Sequence, residues 1–182
     1  MNSFYYKCLC LLLLSFFKDH HLCSADPTDG FTLVPLTEDN FKLQKPYNEP
    51  LDDRYSYKDG VRSFWIYNND KPFKAESTTR PRSELRISGH DYSSGIWQFE
   101  GYAYVPSGTS GVTIVQIHGA TEGATSLQLR MEIIVFIDGV QKFVVKDQGP
   151  GDLYFKCGVY AAPFNSSHYM ESRWKEIKLY KK

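Results

Sequence analysis

Two segments of this chain share one design. "RYSYKDGVRSFWIY" and "VFIDGVQKFVV" each set alternating apolar and polar residues on both sides of an Asp-Gly pair, Asp59-Gly60 and Asp138-Gly139. Period-two alternation buries one side of an extended chain, and Asp-Gly tolerates the positive φ angles of a two-residue hairpin. Both segments therefore predict paired antiparallel strands, and the rest of the chain from Asp26 repeats the theme. "SGIWQFEGYAYVP" sets Ile96, Gln98 and Glu100 against Trp97, Phe99 and Gly101. "VTIVQIHG", "SLQLRM", "LYFKCGVYA" and "SRWKEIKLYK" read as further strands, separated by turns such as "SGTSG". The last of these is expected at a sheet edge, guarded by its lysines. Only "LTEDNFKLQ" suggests a helix, with Thr37 as N-cap. Many short strands at this spacing predict an all-β domain, a sandwich or barrel.

The chain has 182 residues and equal numbers of basic and acidic side chains, 21 of each. That length suits one domain with a real core. Zero net charge and the lack of a basic stripe argue against nucleic-acid binding, so recognition by charge has to be local. The N-terminus reads as an export signal over residues 1–25: Lys7, an apolar run from Cys8 to Phe17, and small residues near Ala25. The run is too short to span a membrane. Cleavage there removes Cys8, Cys10 and Cys23, leaving Cys157 as a small buried residue without a disulfide framework. The mature domain is then 26–182. Asn165 in "NSS" is a glycosylation acceptor sequence on a predicted loop.

Three strands carry polar side chains in the same format. "RPRSELRIS" projects Arg82, Glu84 and Arg86 to one side and Ser83, Leu85 and Ile87 to the other. "VQIHG" puts Gln116 and His118 on one face. "YFKCGVY" does the same for Tyr154, Lys156, Gly158 and Tyr160, backed by Phe155, Cys157 and Val159. Singly, each polar face is more simply a wetted surface, and Arg82 and Arg86 a small ion network on Glu84. Together on one sheet they assemble guanidinium, ammonium, amide, imidazole and phenol groups, an inventory suited to a carboxylated ligand. No cluster has metal-ligand spacing, so neither metal nor other cofactor is expected.

In the order R-S-E-L-R, Q-I-H, Y-F-K-x-G-x-Y, these motifs resemble the signatures of the alginate lyase family, polysaccharide lyase family 7. The wider match, including "DPTDGFTLVPLTEDNF" and "DYSSGIWQFEGYAYVPSGTSGV", is similar to plant citrate-binding proteins that share the fold. The resemblance implies a jelly-roll β-sandwich whose groove binds citrate or an acidic polysaccharide. It implies that Arg86 or Arg82, with Gln116, meets a carboxylate, with Glu84, Lys156 and Tyr154 as further ligand contacts. In a lyase, His118 or Tyr160 would take the C5 proton and Tyr160 would protonate the leaving oxygen, a β-elimination. Two departures stand against full activity. Ala162 replaces the Gln of the family's Tyr-x-Gln. Between "LQLRM" and "VFIDG" the relatives carry several tens of residues that Arg130-Met131-Glu132 bypasses here, from a skipped exon or faulty gene model or, alternatively, in a real isoform that folds differently, so the sandwich is expected to be incomplete. A monomeric carboxylate-binding protein of the secretory pathway, in the wall or vacuole, is the leading expectation, with an acidic-polysaccharide lyase as the alternative.

Overall fold

The computed structural model describes residues 6–8, 28–119, 125–130, 151–163 and 165–182. The second Asp-Gly hairpin, most of the leader and residues 131–150 lie outside that set, as do the side chains of β1 and of the strand at 125–130 apart from Gln128.

The first Asp-Gly hairpin forms as its sequence dictates. Strands β4 (Tyr55–Lys58) and β5 (Val61–Tyr67) flank a turn in which Asp59 has φ 51° and Gly60 φ 75°. Positive φ at both central positions gives the twist that matches two paired strands.

All strand pairs are antiparallel and fall into two sheets. One runs β1 (Tyr6–Cys8), β7 (Trp97–Tyr104), β11 (Tyr169–Lys181), β5, β4, with β2 (Thr32–Val34) also on β11. The other runs β3 (Phe41–Gln44), β6 (Arg82–Ile87), β10 (Leu153–Ala161), β8 (Val112–Gly119), β9 (Thr125–Arg130). The molecule is thus a β-sandwich. Its core lies between the sheets: Phe64, Ile66, Met170 and Trp174 from one side meet Leu85, Cys157 and Val159 from the other. A second cluster joins Val34, Ile87, Phe155 and Leu179. Within the core, Trp174 Nε1 donates to Ser172 Oγ, which donates to the Gly158 carbonyl across the sandwich.

Two expectations need correction. "LTEDNFKLQ" makes only one 3-10 turn, Glu38–Asn40, before β3. Phe41 and Leu43 pack on the core at strand spacing, and that period-two demand ends the helix. Strand β11 is not an edge: β7 flanks it on one side, β5 and β2 on the other. Its lysines point outward from an interior strand because a bulge at Glu176 (φ 53°) shifts the alternation. Met170, Ser172 and Trp174 face the core before the bulge, Ile177 and Leu179 after it.

Candidate functional site

The three motifs lie on adjacent strands, β6, β10 and β8. Register sets Lys156 between Arg86 and Gln116, Gly158 beside Glu84, Tyr160 between Arg82 and Thr113, and Tyr154 beside His118. Residues level with each other in an antiparallel pair share a face, so the predicted polar side chains occupy one side of this sheet. Lys42 and Gln44 join them from β3, level with Arg86 and Glu84.

Glu84 is the hub. Its carboxylate accepts from Lys156 Nζ at 2.6 Å, Gln116 Nε2 at 2.6 Å and Arg82 NH1 at 3.0 Å. Lys156 also donates to Gln44 Oε1 at 2.7 Å. Glu84 is 2% exposed and Lys156 1%. Neither a wetted surface nor an open carboxylate site describes this centre: the anion on Arg82, Lys156 and Gln116 is the chain's own. Desolvation lowers the Lys156 pKa, and the opposing charge of Glu84 counters the shift.

At one end of the face the Arg82 guanidinium lies 4.7 Å from the Phe73 ring centre and 4.2 Å from that of Tyr160. At the other, Arg86 lies 3.9 Å over Tyr154, whose ring stacks on His118 at 5.2 Å, and Arg86 is ion-paired to Asp91. Burial raises the Tyr154 pKa, and Arg86 pulls it back. His118 Nδ1 is 2.5 Å from the Gly119 carbonyl. A carbonyl only accepts, so Nδ1 carries the proton and Nε2 presents a lone pair. Desolvation, helped by Lys156 and Arg82, lowers the His118 pKa and favours that neutral form. Arg86, His118, Tyr160 and the exposed Lys42 form the reachable rim of a face whose centre is closed.

Among the described residues, four buried side-chain polar atoms have no hydrogen-bond partner: Arg82 Nε, Arg86 Nε, Asp91 Oδ1 and Thr113 Oγ1. Sequence reasoning did not single out Gln44, Phe73, Asp91 or Thr113. Gln44 and Thr113 become visible only through strand register, Phe73 and Asp91 only once the loops carrying them fold back. Ala162 is buried, its backbone N–H donating to the Gly111 carbonyl. Asn165 is exposed on the loop after β10. Cys157 sits in the core, where burial pushes its thiol pKa far up. Among the described residues no cluster of His, Cys, Asp or Glu could hold a metal, and no helix is long and apolar enough to cross a membrane.

The alginate lyase family model matches residues 34–133, over half of the sequence. The chain belongs to the alginate lyase family. It is also 60% identical over 204 residues to a citrate-binding protein of Hevea brasiliensis, covering 94% of this chain and 86% of that one. No solved structure matches. Of the 182 residues, 94% is about 171, so about 33 positions of that 204-residue alignment lack a counterpart here. The family match stops at residue 133, close to the position where the sequence predicted a shortening. Motif YFKCGVY falls beyond it, yet β10 lies between the two strands carrying the family's other motifs.

Proposed function

We propose that this chain is an exported, monomeric protein, with residues 1–25 as its signal, that holds citrate or a uronate sugar on the β6–β10–β8 face. The observation that carries the reading is a local charge imbalance. On a chain of zero net charge, Arg82, Arg86 and Lys156 are ion-paired there, among the described residues, with Glu84 and Asp91 alone, and Lys42 adds a further cation at the rim. A ligand carboxylate at Arg86 satisfies the excess, and the partly exposed guanidinium supplies donors for it. Likeness to the Hevea protein supports citrate as the first ligand to try.

The second reading, a lyase acting by β-elimination on an acidic polysaccharide, is favoured by His118. Its Nε2 lone pair makes a general base beside Tyr154 and Arg86, with Tyr160 further along the face as the acid. Both readings are tested together by citrate calorimetry and by following unsaturated-uronate absorbance on alginate, glucuronan and pectate. Citrate binding lost in Arg86→Ala with a flat trace on all three polymers supports the binding protein. Turnover abolished by Tyr160→Phe at unchanged affinity overturns it in favour of the lyase.

A further inference from the structure

Asn165-Ser166-Ser167 is the chain's single Asn-x-Ser/Thr sequence. It lies between β10 and β11, where the chain crosses from one sheet of the sandwich to the other. Asn165 is exposed and takes φ 60°, a left-handed backbone that Asn tolerates. The turn before β8 holds this loop closely. Ser110 Oγ donates to the Asn165 carbonyl at 3.3 Å, Ser167 N–H to the Ser110 carbonyl at 3.1 Å and Ala162 N–H to the Gly111 carbonyl at 2.9 Å. A Cβ on Gly111 would stand 2.5 Å from the Asn165 carbonyl oxygen and from the Ser166 nitrogen. Ser167 completes the joint. Its hydroxyl accepts from Ser110 N–H at 3.1 Å and has one proton for the carbonyls of Tyr169 at 2.7 Å and Ser110 at 3.4 Å.

We infer that Asn165 carries an N-linked glycan, and that the glycan is attached only before this joint closes. The inference rests on the reading of the chain as exported, because the transferring enzyme and its donor, a lipid-pyrophosphate oligosaccharide, work in the secretory pathway. In the transfer Asn165 Nδ2 bonds to C1 of the donor's first sugar and gives up one proton. The bond from C1 to the pyrophosphate oxygen breaks, and the lipid pyrophosphate leaves. The acceptor sequence requires the hydroxyl two residues on as well as the amide. The folded joint offers only half of that pair: Asn165 is exposed, but the Ser167 hydroxyl is engaged by Tyr169 and Ser110. A glycan already in place is compatible with closure, because the contacts to the turn use the Asn165 carbonyl and Ser167, and not the Asn165 amide. The same loop meets Arg80 and Pro81, through Arg80 NH2 on the Pro163 carbonyl and Ala161 N–H on the Pro81 carbonyl. The glycan thus stands towards the Arg82 end of the candidate face, away from Arg86.

The test expresses the full chain in a eukaryotic secretory cell, with its own leader and, in parallel, behind a second export signal of proven function. The expected result is a gel shift that an N-glycan-cleaving endoglycosidase reverses. Asn165→Gln and Ser167→Ala should lose it, and Ser167→Thr should keep it. No shift behind the second signal overturns the inference. A shift behind the second signal and none behind the chain's own leader supports the site and overturns the export reading instead. Timing is read on unglycosylated protein from bacteria, given microsomal transferase and lipid-linked donor either while folded or during dilution from urea. Transfer to the folded protein is expected to be at least about tenfold slower, because it waits on local opening of the joint. Equal rates overturn the gating by Ser167.

Discussion

Lys156 Nζ and Glu84 Oε1 stand 2.6 Å apart with both side chains 2% exposed, and neither ion has access to solvent that could replace the other. Removing one partner strands a buried charge. Lys156→Met is expected to lower unfolding free energy by about 3–5 kcal/mol, read from urea midpoints. Glu84→Gln/Lys156→Met is expected to lose less than the sum of the two single losses, because the second change removes an ion already unpaired. Additive losses would show that the pair is not a unit.

His118 predicts an acid-sensitive stability. Its folded pKa lies below the ordinary imidazole value of 6.5, so over that interval the unfolded chain binds a proton that the folded chain does not. Its contribution is therefore complete above about pH 6.5 and is lost as pH falls towards the folded pKa. The melting temperature of wild type should fall through that window more steeply than that of His118→Gln. Parallel curves would mean that the ring is not held neutral.

Thr113 predicts a gain. Its buried hydroxyl has no partner, and valine has nearly the same shape without the polar atom. Thr113→Val should raise stability by about 1 kcal/mol. A loss in denaturant titration would reveal a hydrogen bond the hydroxyl makes in solution.

Gly158 predicts the reverse. At φ 143° in β10, an added Cβ would stand 2.5 Å from Glu84 Cα and from the Ser83 carbonyl, both on the neighbouring β6. Backbone atoms of a paired strand cannot step aside. Gly158→Ala should cost about 3–5 kcal/mol or abolish soluble expression, whereas Gly108→Ala, strained by its φ of 91° but with open space around it, should cost less. Equal midpoints for the two variants would refute the close approach.

How much of this was legible in the sequence depended on range. Alternation identified the inward and outward residues of β6 and β10 correctly, because period two needs no partner to be read. The Asp59-Gly60 hairpin was visible for the same reason. What alternation cannot supply is the neighbour. Glu84 was read as one residue of an outward row, yet its environment is fixed by Lys156 and Gln116, 72 and 32 positions away. Strand β11 was misplaced because its outward lysines, Lys175 and Lys178, look the same on an interior strand as on an edge.

The bulge at Glu176 gives β11 a further property. The strand's first half keeps step with the cluster around Trp174, its second half with the cluster around Leu179. It behaves as two rulers joined by one extra residue. Exchange of a side chain on either half disturbs one neighbourhood. Loss or gain of a single residue between Trp174 and Leu179 instead turns Lys178 inward and Leu179 outward, or breaks the step for Trp174. Over this stretch the protein can vary in what it is made of, but not in how long it is.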